Sequence, residues 1–323
     1  MCTAITYRTR DAYFGRTLDL EYSYHETVTV TPRRFVFPLR TKEPIVSHYA
    51  IIGMATVADG YPLYYEAANE CGLAIAGLNF PNNAHYFPAV EGKDNIAPFE
   101  LIPWLLSQCR DLKEARALLK RINLCDINFS QQYPLSPLHW MIADRNESIT
   151  LECVPEGLQI HENPVGVLTN NPRFDYHMTH LCDYLNLTHL QPENHFGHVA
   201  LQAYSRGMGA MGLPGDLSSA SRFVRAAFVK LHSVSGDSEE ESVSQFFHIL
   251  GSVEQQRGCV QMPDGRYEIT GYTSCINLDK GIYYYTTYEN QCISAVELHR
   301  CNLDGDALCI YPLAKQLIIN RQN

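Results

Sequence analysis

Cys2 follows the initiator Met1, and that position gives it chemistry the other ten of the eleven cysteines lack. Removal of a methionine ahead of a small residue leaves a thiol and a free α-amine on one residue. The ordinary pKa of the amine is about 7.7–8.0 and that of the thiol about 8.5. The amine is therefore able to take the thiol proton and later return it, so nucleophile and base share one residue. Two further groups sit in Phe14-Gly-Arg16-Thr-Leu-Asp19. A guanidinium beside a thiol favours the thiolate. A carboxylate beside an ammonium anchors it. An ordinary surface pair at i,i+3 spacing is the competing reading for Arg16 and Asp19.

These groups need rigid elements, and the sequence supplies them. Thr3 to Arg8 and Tyr13 to Leu18 read as strands, and antiparallel pairing returns Arg16 and Asp19 to the start of the chain. Thr27 to Thr31, Tyr49 to Val57 and Gly72 to Phe80 read the same way, with Pro32, Pro38, Pro44 and Pro62 beside strands and not within them. From Pro98 to Ile122 the apolar period becomes helical. Leu138 to Asp144, Ile149 to Val154, Gly157 to Glu162 and Val165 to Thr169 read as a meander. Helices are expected over Phe174 to Leu187, from Ser218 or Ser219 to about His232, and from a capping box at Ser238-Glu-Glu-Glu241 to about Leu250. Leu190 to Leu217 has no period and reads as a long loop. Three final strands cover Thr273 to Leu278, Gly281 to Tyr288 and Ile293 to Leu298. Blocks of strands alternating with blocks of helices indicate an α+β layered fold, and the absence of a linker indicates one domain over residues 1–323.

Composition narrows the function. The chain is 46% apolar and 19% charged, which excludes global disorder. Its net charge of −10, with only short basic spots at Arg33-Arg34 and Arg116 to Arg121, argues against nucleic acid or an anionic membrane as partner. No apolar run is long enough to span a membrane. The start, Met-Cys-Thr-Ala-Ile, lacks the basic segment and apolar run of a secretion signal, so a reducing cytoplasm is expected. The cysteines are then mostly small buried thiols. The matches to Asn-x-Ser/Thr at Asn128, Asn146 and Asn186 carry no meaning there.

Other motifs fail on context. Gly207-Met-Gly209-Ala-Met-Gly212 fits G-x-G-x-x-G, but a poor strand precedes it and Pro214-Gly215 blocks a following helix. There is no Cys-x-x-Cys or His-Glu-x-x-His, and Cys292, Cys301 and Cys309 are spaced too widely for zinc.

Met-Cys-Thr-Ala followed by Phe14-Gly-Arg-Thr-Leu-Asp19 resembles the choloylglycine hydrolase family of N-terminal nucleophile hydrolases. The resemblance continues in order through Asn69-Glu-Cys-Gly-Leu73, Ala76-Gly-Leu-Asn-Phe-Pro81, Leu138-His-Trp-Met141, Gly166-Val-Leu-Thr-Asn-Asn-Pro172, Gly212-Leu-Pro-Gly-Asp216, Ser221-Arg-Phe-Val-Arg225 and Gly281-Ile-Tyr-Tyr-Tyr-Thr-Thr-Tyr288. It is strongest to the bile-salt-cleaving branch of intestinal Gram-positive bacteria. The resemblance implies a four-layer αββα sandwich and hydrolysis of the linear amide in glycine- or taurine-conjugated bile acids. No metal or organic cofactor is implied. It further implies removal of Met1, a cytoplasmic enzyme and a homotetramer.

Carried over by motif, the catalytic set is Cys2, Arg16, Asp19, Asn79, Asn170 and Arg222. From the residues alone, Asn79 on an apolar strand reads first as a buried core amide, with an oxyanion donor as the functional reading. Asn170 reads as a turn former or a partner of the Cys2 amine. Arg222 lies in the first turns of a helix, where the dipole disfavours a cation, which hints at a carboxylate or substrate partner. A rigid steroid needs an open apolar pocket. Candidates for it are Tyr22, Tyr24, Phe129, Tyr133, Leu135 and Leu138, with ordinary core packing as the alternative for each. Penicillin V acylase is the nearest alternative activity, and Asn79, where that branch often carries Tyr, favours the bile salt reading. The loop Tyr204-Ser-Arg-Gly207 varies in the family and is a candidate for biasing glycine against taurine conjugates. An amine replacing water at the acyl-enzyme gives acyl transfer. A steroid-binding protein that lost activity is the competing class, and the intact catalytic set argues against it.

Overall fold

The computed structural model describes residues 1–323. Strands come first: β1 Cys2–Arg8, β2 Ala12–Leu20, β3 Thr27–Thr31, β4 Ile51–Ala58, β5 Tyr61–Asn69, β6 Ala74–Asn79 and the short β7 Asp94–Ile96. Helices α1 Leu101–Gln108 and α2 Leu112–Leu119 follow. Next are β8 Ile122–Leu124, β9 Leu138–Ala143, β10 Ser148–Val154, β11 Gly157–Glu162 and β12 Val167–Leu168. Helices α3 Phe174–Leu181, α4 Ser219–His232 and α5 Glu239–Gly251 precede β13 Ile269–Asn277, β14 Ile282–Thr287, β15 Ser294–Glu297 and β16 Cys309–Pro312.

Two sheets hold the molecule. One runs β12-β1-β2-β13-β14-β15, the other β11-β10-β9-β6-β5-β4-β3-β16. Helices α4 and α5 pack on the first sheet through β1 and β13, and α1 packs on β5 and β6 of the second. One apolar cluster joins the facing sheets and includes Cys2, Phe14, Met54, Ala76 and Tyr272. A second lies between the outer sheet and α1 and α2 and includes Leu105, Leu112 and Trp140. The result is the expected αββα sandwich.

Close approach is written into two glycines. A Cβ on Gly15 would fall 2.0 Å from the Ser274 carbonyl oxygen, so only glycine lets β2 lie against β13. Gly166 has φ +61°, and a Cβ there would meet Thr6 Oγ1 at 2.1 Å. That turn sends β12 to pair with β1, with Ala4 opposite Leu168.

Several expectations are corrected here. Strand β5 lay in a stretch given no element, and Pro62 sits inside it, opposite Val57. The helix expected over Pro98 to Ile122 is two helices, because Cys109 is extended and Asp111 opens α2 by accepting from Glu114 N at 2.9 Å. Pro103 lies within α1, at a first-turn position where the missing N–H costs little. Strand β12 leaves the meander for the other sheet. The capping box at Ser238 and Glu241 forms as expected. The glycines at 207–212 flank a single 3-10 turn with no strand before it, so the dinucleotide motif is absent in structure as well as context.

The cysteines divide differently from expectation. All eleven are free, but besides Cys2 only Cys109, Cys125, Cys153 and Cys275 are buried. Cys71, Cys182, Cys259 and Cys292 are exposed. Burial pushes the Cys109 and Cys153 thiols up to about 12 and Cys275 well above its usual value. No thiolate is available from those three near neutrality.

Candidate active site

Cys2 opens β1 between β12 and β2, only 3% exposed. Its backbone N donates to Asn170 Oδ1 at 2.8 Å. The same oxygen accepts from Arg222 Nη2 at 2.8 Å. Asn170 Nδ2 donates to the Asn79 carbonyl at 2.7 Å. The Asn170 side chain thus ties the start of β1 to the end of β6 and to helix α4, from a bend in the chain at residues 170–172.

Arg222 is fully buried in the first turns of α4. Besides Asn170 it donates to the Cys2 carbonyl at 2.5 Å, Thr3 Oγ1 at 2.6 Å and the Leu217 carbonyl at 3.0 Å. Asp19 Oδ2 lies 4.0 Å from Nη1. Burial lowers the Arg222 pKa, opposed by Asp19 and then Cys2, and a guanidinium so paired remains charged. Its poor placement on the helix dipole is explained by this acceptor set.

Arg16 and Asp19 are not a surface pair. Both are buried, 1% and 0% exposed, and they face different partners. Arg16 reaches across to the second sheet, donating from Nη1 to the Gly77 carbonyl at 2.6 Å, with Glu66 Oε2 at 3.8 Å from Nε. Its Nη2 has no protein partner. Burial opposes the Arg16 charge, but Cys2, Tyr272, Glu66 and Asp19 outweigh it and raise the pKa. Asp19 accepts from Thr270 Oγ1 at 2.7 Å and Thr17 Oγ1 at 3.2 Å. The bulge in β13 between Thr270 and Tyr272 sets this register.

Met1 continues the β1–β2 ladder. Asp19 N donates to the Met1 carbonyl at 2.9 Å, and the Met1 ammonium donates to the Asp19 carbonyl at 2.6 Å and pairs with Glu268. Burial raises the Glu268 pKa despite the ammonium. Glu66, Glu268 and Thr270 were not found in the sequence, because nothing local marks them; each meets the site through strand pairing or packing over 50 to 267 residues.

Asn79 departs from the buried-amide reading. Its side chain is exposed at the end of β6 and makes no hydrogen bond within the protein. Only its backbone is bonded, so the amide is free to meet a substrate. Asn79 pairs with Leu138, which lines a cavity of about 210 Å³. That cavity is also lined by Tyr24, Phe129, Tyr133 and Leu135, and by Tyr65, Gly77, Phe99 and Trp140. Cys2 does not line it; two of its lining residues, Tyr65 and Gly77, accept from Arg16 through their carbonyls. Tyr22 stands 43% exposed outside the cavity, edge-on to Tyr24 with Arg266 over its ring. Tyr204 is 83% exposed on its loop.

A buried histidine backs the site. His177 packs on Phe223, with its Nε2 2.9 Å from the Asn170 carbonyl, and burial holds its pKa down to about 4. Between that value and the ordinary 6.5 the unfolded chain binds a proton the folded chain does not. His177 therefore contributes stability above about pH 6.5 that is lost as pH falls toward 4, worth about 2–3 kcal/mol. Urea midpoints at pH 7 and pH 5 are expected to differ less in His177→Gln than in wild type; equal differences would refute this.

The sequence profile of the linear amide C–N hydrolases, choloylglycine hydrolase family, matches residues 2–311. The chain is 56% identical over 317 residues to the bile salt hydrolase/transferase of Lactiplantibacillus plantarum, covering 98% of each chain. It is 40% identical over 329 residues to the bile salt hydrolase/transferase of Clostridium perfringens, covering all of both. The crystal structure of the C2A mutant of the Clostridium perfringens conjugated bile acid hydrolase matches with TM-score 0.93 and 39% identity over 100% of both chains. Penicillin V acylase from Agrobacterium tumefaciens matches at TM-score 0.74 and 19% identity, covering 95% of this chain and 90% of that one, a likeness of fold.

Proposed function

The chain belongs to the choloylglycine hydrolase family, and on that basis we propose that it cleaves the amide of glycine- and taurine-conjugated bile acids through a thioester on Cys2. The observation that carries the reading is the Asn170 oxygen shared by Cys2 N and Arg222, beside an unbonded Asn79 amide.

Removal of Met1 converts Cys2 N into an amine held by Asn170 Oδ1. The thiol proton passes to this amine, and the sulfur attacks the amide carbonyl. Asn79 donates to the resulting oxyanion. The Cys2 ammonium protonates the leaving nitrogen, releasing glycine or taurine. Water then gives a proton to the same amine and its oxygen displaces sulfur, freeing the bile acid. Arg222 fixes the Cys2 carbonyl, Asp19 balances Arg222, and the buried Arg16 charge favours the Cys2 thiolate. An amine in place of water yields acyl transfer by the same steps. The cavity of Tyr24, Phe129, Tyr133, Leu135 and Leu138 takes the steroid.

Release of glycine and taurine from the conjugates, measured beside penicillin V, tests the reading. Faster turnover of penicillin V would move the assignment to that activity. Phe129→Ala is expected to raise KM for conjugates about tenfold or more with little change in kcat, since the lost ring contacts serve ground state and transition state alike. A kcat loss at unchanged KM would remove Phe129 from the steroid site.

Three broader readings belong to the same proposal. The chain forms one domain, supported by β16 pairing with β3 and β13 with β2. The enzyme is cytoplasmic, which suits eleven free thiols. It assembles as a homotetramer, supported by exposed Leu190, Phe196, Val199 and Tyr204 in one loop and Leu317, Ile318 and Ile319 near the C-terminus. Light scattering that gives only monomer would refute the last.

A further inference from the structure

Asn170 needs its own support. It lies two residues beyond the end of β12, where no ladder bond holds it, yet its side chain sets three groups of the site. The support comes from two buried histidines on other elements. His177 of α3 faces the Asn170 carbonyl through Nε2 at 2.9 Å. His139 of β9 faces the Thr169 carbonyl through Nε2 at 2.9 Å. A carbonyl only accepts, so each ring carries a proton on Nε2. Each ring is then fixed in its plane. His177 stacks on Phe223 at 17° and His139 on Phe80 at 6°. His139 Nδ1 meets Glu152 Oε1 at 3.2 Å, and that oxygen also accepts Phe174 N at 2.9 Å, which ties β9 and β10 to the start of α3. Ser219 Oγ completes the clamp, accepting Asn170 N at 2.8 Å and bonding Thr169 Oγ1 at 3.0 Å.

We propose that His177 and His139 are positioning residues for the Cys2 amine, acting through the Thr169–Asn170 backbone they clamp. Neither touches Cys2. Together they fix where Asn170 Oδ1 stands, and so where the amine stands relative to the thiol and the scissile nitrogen. His177 carries the larger share: its Nδ1 has no partner, so its one hydrogen bond serves Asn170 alone. Misplacing a reacting group by about 1 Å costs on the order of 10²-fold in rate. The inference rests on Cys2 supplying nucleophile and base, as proposed above.

The test compares His177→Phe, which keeps the stack and loses the donor, with His177→Gln, whose amide restores a donor. Two readouts are taken on the full-length processed enzyme. One is kcat and KM for a glycine-conjugated bile acid. The other, independent of substrate, is the rate at which a small aldehyde condenses with the Cys2 amine and thiol at fixed pH. In His177→Phe, kcat is expected to fall roughly 10- to 100-fold with KM unchanged, and condensation to slow. In His177→Gln, both are expected to recover to within about threefold of wild type. Unchanged kcat in a folded Phe variant overturns the proposal. So does a parallel loss of kcat and substrate affinity, or a folded Gln variant as slow as Phe, since either indicates a merely structural ring. If the Phe variant does not fold, the Gln variant alone decides by the same limit. Wild-type enzyme that condenses with the aldehyde but releases no glycine would refute the substrate assignment and not the clamp.

Discussion

Cys2→Ala is expected to lower kcat for glycine release by at least about 10⁴-fold while leaving the fold intact. Both roles of the residue depend on its thiol: no thioester forms without it, and the amine then has no nucleophile to serve. Enzymes whose nucleophile and base act as a unit lose nearly all their acceleration when the nucleophile goes. The structural cost is small by comparison. Cys2 is buried in the core between the sheets, but removing one sulfur leaves a cavity worth about 1 kcal/mol, or a few degrees in Tm. The Cys2 backbone keeps its bonds to Asn170 and Arg222. Turnover within tenfold of wild type would contradict the mechanism; a large fall in Tm would mean that the loss of activity reports on folding instead.

Arg222→Met is expected to reduce kcat by at least about 10²-fold and stability by about 3–5 kcal/mol. Methionine fills most of the volume, so the effect isolates the guanidinium. Four acceptors lose a donor at once: the Cys2, Thr3, Asn170 and Leu217 oxygens. Asp19, fully buried 4.0 Å away, is left without its cation. A buried carboxylate stripped of its partner costs far more than a broken surface pair. The double variant Arg222→Met with Asp19→Asn should regain part of the stability, because the uncompensated charge is gone, and none of the activity. Recovery of activity in the double variant would show that Arg222 only neutralises Asp19. Chemical denaturation and steady-state kinetics on the same preparations separate the two outcomes.

The nucleophile was legible in the sequence because its chemistry depends on chain position, which a sequence states outright. The strands carrying it were legible too, since β1, β2 and β3 are short runs of β-branched and aromatic residues between clear turns. The site around it was only half legible. Asn170 and Arg222 looked like a turn residue and a misplaced surface cation until packing brought them to one oxygen. Asn79 looked buried because its strand is apolar, but it is the last residue of β6 and its side chain faces out. Glu268, Thr270, Glu66 and His177 carry no local signal; strand register and packing alone place them near the site. Strand β5 escaped notice because most of its residues are buried on both faces, which erases alternation, and because Pro62 reads as a break. The split between α1 and α2 hinges on one capping residue, Asp111, inside a run whose helical period continues across it.

The central claim is that Cys2 acts with a free amine as both nucleophile and base. The mass of the N-terminal peptide from active enzyme tests it most directly. A peptide beginning at Cys2 is the predicted result, with the bile acyl group added to that same peptide when the reaction is quenched during turnover. A fully active enzyme whose N-terminal peptide retains Met1 would contradict it, because the Cys2 nitrogen would then be an amide with no proton to give or take.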